Sequence, residues 1–384
     1  MFGRSFTIAR IGGIAIEIHP SWLLIFALIT WSLAVGVFPM QFEDWATATY
    51  WIIGAIAALL LFVTVLIHEM AHAVVAIRRG LPVPRITLFI FGGVSHLSRQ
   101  PRTAGEEFAI AAAGPAASLA IAIIAAALSL VVVNLNEQAT AIVVYIALVN
   151  FLLAIFNTLP GFPLDGGRVL RSIAWRKTGN FMKATRIASG VGTGFGFGLI
   201  IIGFGFILFG YLINGIWFAF IGWFLSTAAR GEAESLRLES VLGPLQARDV
   251  MSQNYVVVPP GLSLQLIVDE FMVAEGHRAV IVARDETVYG IVSISDIRKV
   301  PRDRWADTPA QAVMTPREEV ATVNADTPAM EALELIAQRG LNQVPVLEEG
   351  RMVGLITRRE LIERIQVAEQ LEDRREVPTG SRRS

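Results

Sequence analysis

Six apolar stretches, at about 20–38, 47–77, 108–133, 139–156, 188–209 and 212–228, each come near the 20 or so residues an α-helix needs to cross a bilayer. Hydrocarbon offers no water to backbone N–H and C=O groups, so stretches of this kind are restricted to helices there. Composition agrees: 54% of the 384 residues are hydrophobic and 17% charged, where a soluble domain carries about 25% charge. The apolar excess lies in the first 230 or so positions, and the remainder reads as an ordinary soluble chain. The predicted organisation is a six-span unit over 1–230, a linker over 231–245, a soluble unit over 246–367 and a charged flexible tail over 368–384. A net charge of −1 gives no basis for a nucleic-acid partner, and the absence of cysteine excludes disulfides, thiolate zinc ligands and thiol catalysis. The first span follows nineteen residues and lacks a small-x-small site after its apolar core, so it is expected to stay in the chain.

Basic residues set the expected orientation. Arg4 and Arg10 precede the first span, whereas Glu43 and Asp44 follow it. Arg78, Arg79, Arg85, Arg99 and Arg102 separate spans two and three, and Glu137 alone is charged between three and four. Arg168, Arg171, Arg176, Lys177, Lys183 and Arg186 lie between four and five, and Arg230 follows the sixth. Positive charge gathers on the cytoplasmic side, so both termini are expected there in a multi-pass protein of the cell membrane.

Span two carries His68-Glu69-Met70-Ala71-His72 after an unbroken apolar run. On a helix, positions i and i+4 stand about 40° apart and one turn along, so both imidazoles can meet one metal ion, with Glu69 placed to act on water as a base. Ionisable groups in a span are costly by about 3 kcal/mol each, which argues for a function. Zinc in hydrolytic sites takes three protein ligands and keeps one position open. The candidate for the third is Asp165, just past Asn157-Thr158-Leu159-Pro160-Gly161-Phe162-Pro163-Leu164, whose prolines and glycine break the fourth span. Irregular backbone at membrane depth is tolerated where it lines a cavity.

These two motifs, H-E-M-A-H and N-T-L-P-G-F-P-L-D-G-G, resemble those of the site-2 protease family of intramembrane zinc metalloproteases, HExxH and NxxPxxxLDG, at every fixed position. The resemblance covers about residues 1–230. It implies one Zn2+ per chain on His68, His72 and Asp165, Glu69 as general base, and Asn157 as a substrate-positioning residue. It also implies a short membrane-associated β-hairpin over 84–97, with Gly92-Gly93 at its turn and an edge for an unwound substrate. Gly114-Pro115-Ala116-Ala117-Ser118 resembles the family's Gly-Pro-x-x-Asn element, with Ser118 in place of asparagine. His19 is read as an interfacial residue and His96 as an accessory polar group of the hairpin. The ladder Gly190, Gly192, Gly194, Gly196 and Gly198 is read as close helix packing.

The soluble unit repeats at about 64 residues. Asp249-Val250-Met251-Ser252 recurs as Ala312-Val313-Met314-Thr315, and Gly290-Ile291-Val292-Ser293-Ile294-Ser295-Asp296 recurs as Gly354-Leu355-Ile356-Thr357-Arg358-Arg359-Glu360. Each copy, 246–302 and 309–367, reads as an α/β unit of strand, helix, strand, strand, helix. The pair resembles tandem cystathionine-β-synthase (CBS) domains, which implies an adenine nucleotide (ATP, ADP or AMP) as regulatory ligand. The implied contacts are Ser293 or Thr357 with phosphate and Asp296 or Glu360 with ribose, and a homodimer through the pair is a further candidate.

The expected function is therefore an intramembrane zinc endopeptidase acting on membrane-anchored proteins within the lipid bilayer. By resemblance, candidate substrates are anti-sigma factors, other regulators or remnant signal peptides. The alternative is a CBS-gated metal-ion transporter, which would use histidine and aspartate but has no need of Glu69 between its ligands.

Overall fold

The computed structural model describes residues 5–90, 92–284, 287–349 and 351–364; Arg4 and the tail over 368–384 lie outside them. The chain divides into two compact units, Met1–Glu234 and Ser235–Ser384.

Six helices are long and apolar enough to span a membrane: α1 (Ser21–Gln41), α2 (Thr47–Arg78), α3 (Ala104–Val132), α4 (Glu137–Thr158), α6 (Phe181–Leu208) and α7 (Leu212–Leu242), with the shorter α5 (Asp165–Thr178) between the fourth and fifth. Local chemistry fixes where they begin. Thr103, Asn136 and Asn180 cap α3, α4 and α6 by accepting from the backbone N–H of Glu106, Ala139 and Lys183. Gly179, at φ +68°, ends α5 in the left-handed region. Large apolar side chains such as Leu24, Ile124, Leu130 and Ile201 stay exposed, as befits helices solvated by lipid. Helix α3 packs against α2, α4 and α5, which makes it the centre of the unit. Of the glycine ladder, Gly192 and Gly196 are buried while Gly190 and Gly194 face outward, because alternate residues on a helix cannot share a face.

The hairpin expected at 84–97 is half of a larger sheet. Strands β1 (Phe6–Ile11), β2 (Ile14–Ile18), β3 (Arg85–Phe89) and β4 (Gly92–His96) pair in that order, with β2 parallel to β3 and the other pairs antiparallel. The Gly92-Gly93 pair is not the turn: Gly92 pairs with Phe89 and Gly93 with Leu88, so both glycines open β4. The β1–β2 hairpin has its own signal, Gly12-Gly13 at positive φ followed by the alternation Ile14, Ile16, Ile18. Ile14, Ile16 and Ile86 pack on Ala73 and Ala76 of α2 and Ile110 of α3, which seats the sheet against the end of α2 that bears the histidines.

In the second unit, β5 (Val257–Val258), β6 (Ala279–Arg284), β7 (Thr287–Ser293) and β8 (Thr315–Pro316) form one sheet, and β9 (Val323–Asn324), β10 (Gln343–Glu348) and β11 (Arg351–Thr357) another. Each repeat reaches into the other. β8, from the start of repeat two, pairs with β7, and Ser252, at the equivalent place in repeat one, exchanges both backbone hydrogen bonds with Leu355 at 2.9 Å. Val280, Val282 and Val292 centre the first core; Val344, Val346 and Ile356 centre the second, under α8 (Ala329–Gln338).

Candidate metal centre

His68 and His72 lie one turn apart on α2 and are 4% and 5% exposed. Their Nε2 atoms stand 3.3 Å apart, and each lies 3.1 Å from Oδ2 of Asp165, in the first turn of α5. The outer ring nitrogens are held from α3. His72 Nδ1 donates to the Ile110 carbonyl at 2.6 Å, and His68 Nδ1 meets Ser118 Oγ at 2.8 Å. A carbonyl can only accept, so the proton of neutral His72 sits on Nδ1 and its Nε2 lone pair points inward. Two imidazole nitrogens and a carboxylate oxygen thus converge within 4.8 Å of one another, an arrangement suited to a cation. Nitrogen and oxygen donors from two histidines and one aspartate, with the outer ring nitrogens of the histidines held by Ser118 and the Ile110 carbonyl, fit zinc.

The place for Asp165 follows from its sequence. Pro160 and Pro163 forbid continued helix, and α5 restarts at Asp165, whose carboxylate is favoured by the positive end of the new helix.

One face of α3 scaffolds the centre. Glu107, Ile110, Gly114 and Ser118 recur at helical spacing, and a Cβ on Gly114 would come within 2.1 Å of His72 Nε2 and 2.5 Å of His68 Nε2. Only glycine leaves the imidazoles their space. Ser118 is fully buried, and its hydroxyl is the partner of the outer ring nitrogen of His68.

Glu69 faces the sheet. Its Oε2 accepts from Ser95 Oγ of β4 at 2.8 Å, and a Cβ on Gly93 would lie 2.5 Å from its Cγ. Ser95 and Gly93 share one strand face, and β4 ends the sheet. Asn157, half-buried in the last turn of α4, makes no side-chain hydrogen bond among the described residues and is not drawn into the cluster. His96 meets Thr87 Oγ1 at 3.3 Å, and His19 meets Ser21 Oγ at 2.7 Å.

In the second unit, Ser293 and Asp296 form a capping box. Asp296 Oδ2 accepts from Ser293 Oγ at 2.7 Å and its N–H at 3.1 Å, while Lys299 Nζ donates to Oδ1 at 2.9 Å. Burial opposes ionisation of Asp296, and the hydrogen bonds from Ser293 and Lys299 outweigh it, holding its pKa below the usual carboxylate value. Thr357 and Glu360 repeat the box, with Thr357 Oγ1 donating to Glu360 Oε2 at 3.0 Å. A small apolar cleft of about 40 Å³ lies between the repeats, lined by Ile281, Ile291, Arg317, Val320, Pro345 and Leu347 among others. None of the four box residues lines it.

Residues 56–136 and 133–201 match peptidase family M50, and 247–303 and 310–367 match the CBS domain. The sll0528 protein of Synechocystis is 35% identical over 93% of this chain and 94% of its own length. The Rip3 protein of Mycobacterium tuberculosis is 35% identical over 91% and 90%. The MJ0392 protein of Methanocaldococcus jannaschii is 28% identical over 96% and 98%. All three have zinc metalloprotease in their names.

Proposed function

The chain belongs to peptidase family M50, the site-2 proteases, with a tandem CBS pair in its C-terminal part, and on that basis we propose that this zinc metalloprotease cuts a peptide bond in or beside a transmembrane segment of a membrane-anchored protein. One observation carries the proposal: two histidines of a membrane-spanning helix, the first followed directly by Glu69, meet the Asp165 carboxylate of α5 with their ligand atoms within 4.8 Å of one another.

His68, His72 and Asp165 would hold the zinc. When bound, zinc supplies a Lewis acid that polarises a carbonyl and makes water more acidic. Glu69 takes a proton from the attacking water, and the hydroxyl bonds to the scissile carbonyl carbon. The proton then passes from Glu69 to the amide nitrogen as the C–N bond breaks. A helical substrate hides its carbonyls in its own hydrogen bonds, so the segment must unwind. The end strand β4, with Gly92 and Gly93, supplies backbone for an extended segment to pair with, and Asn157 would help position it.

The proposal extends to orientation and regulation. Both termini are cytoplasmic, on the strength of the alternating arginines. The CBS pair binds an adenine nucleotide and forms a homodimer, on the strength of the two CBS matches and the duplicated boxes at Ser293–Asp296 and Thr357–Glu360.

Substrate trapping tests the central reading. A Glu69→Gln variant in membranes should retain zinc and hold an uncut membrane-anchored protein that the unaltered chain cleaves when the two are reconstituted together. Cleavage by the variant at the normal rate would overturn it.

A further inference from the structure

Glu107 of α3 and Arg171 of α5 form an ion pair whose side chains are sealed from solvent, at 0% and 1% exposure. Arg171 Nε donates to Glu107 Oε1 at 2.6 Å, and Nη2 donates to the same oxygen. The guanidinium is also stacked between two rings, with Cζ 5.0 Å from the centre of Phe162 and 4.8 Å from that of Phe181. The pair is incompletely satisfied: Glu107 Oε2 and Arg171 Nη1 are buried without a hydrogen-bond partner. Removing two charges from water costs several kcal/mol each, and an apolar pair of similar volume is often as stable or more so. Stability alone therefore accounts poorly for this arrangement.

Its position offers another account. Phe162 belongs to the segment leading into Asp165, and Arg171 lies about 9 Å further along α5. One guanidinium thus grips the approach to the ligand, the ligand helix itself and α3. Helix α3 holds both histidines through Ile110 and Ser118 on the face that carries Glu107. We infer that the Glu107–Arg171 pair is a positioning device: it fixes the register of α5 against α3, and so the place of the Asp165 carboxylate relative to the two imidazoles. The stacking of Arg171 on Phe162 and Phe181 holds the fork in one plane, a task a lysine cannot perform.

The inference rests on the zinc reading above, and the test separates the two. Zinc affinity of the full-length protein in detergent is measured by competition with a chromophoric chelator, for the unaltered chain, the double variant Glu107→Met/Arg171→Met and the single variant Arg171→Lys. Cobalt-substituted protein at saturating metal gives an absorption spectrum that reports ligand geometry. Unaltered protein that binds no zinc would undo the zinc reading itself. With zinc bound there, the expected result is about tenfold to a hundredfold weaker retention in both variants and an altered cobalt spectrum. The double variant should melt close to the unaltered protein. Arg171→Lys keeps the charge opposite Glu107 and serves if the double variant does not fold. Unchanged zinc affinity with an unchanged cobalt spectrum in a folded variant overturns the inference, because a purely stabilising pair would leave the saturated site as it was.

Discussion

Each ligand of the metal centre depends on a neighbour from another helix. His72 takes its tautomer from a backbone carbonyl, His68 its orientation from Ser118, and both need the bare Cα of Gly114. Gly114→Ala is thus expected to abolish zinc binding, measured by metal analysis of purified protein, whereas Ser118→Ala should weaken it about tenfold. Asp165→Ala should retain little zinc; full retention with unchanged activity would remove that residue from the site. Ser95→Ala tests the other side of the centre. It removes one hydrogen bond from Glu69 without touching a ligand, so zinc content should hold while kcat falls about tenfold at unchanged KM; a raised KM with unchanged kcat would make Ser95 a substrate contact instead. The cluster of His68, His72 and Asp165 was legible in the sequence: the histidines because they are costly in a membrane and one helical turn apart, Asp165 because it follows a Pro- and Gly-broken span. Ser95, the Ile110 carbonyl and the Glu107–Arg171 pair were not. A carbonyl carries no residue signature, and the side chains involved meet only once distant elements have packed.

Elements reveal the same division between local and tertiary information. The spans read directly from apolar length, and their caps at Thr103, Asn136 and Asn180 precede the expected starts by about three to eight residues, because polar first turns extend each helix beyond its apolar run. The sheet was half seen. Strand β2 shows the alternation Ile14, Ile16, Ile18, but its pairing with β3 crosses two whole spans and has no local sign. The glycines at 92 and 93 looked like a turn because glycine is common in turns; Gly93 is there to let β4 approach Glu69. Among the CBS elements, the capping boxes do structural work before any ligand arrives. Asp296→Ala should therefore cost about 1 kcal/mol, seen as a lower melting temperature of the CBS transition in nucleotide-free full-length protein. An unchanged melt would leave Asp296 free for a ligand role alone. Nucleotide titration of the full-length protein completes that test. Saturable binding below millimolar concentration supports a sensor, and its absence restricts the pair to a structural role.

The molecule joins a membrane-spanning metalloprotease unit to a CBS unit, and the boundary between them lies close to the change in composition. Orientation decides on which side products appear. Reporters fused near Arg99 and after Arg230 should both read as cytoplasmic, and reporters near Glu43 and Glu137 as opposite; an external signal at Arg99 would reverse the side of release. The central claim is hydrolysis within the membrane by a zinc site that uses Glu69. It is tested most directly by reconstituting the purified chain in liposomes with a trapped membrane-anchored substrate and mapping the new termini by mass spectrometry. Three samples suffice: zinc-loaded, chelator-treated, and the zinc-loaded Glu69→Gln variant. The account predicts a single cut in or beside the substrate's transmembrane segment in the first sample and none in the other two. A cut that persists without metal or without Glu69, or one confined to a soluble domain of the substrate, would contradict it.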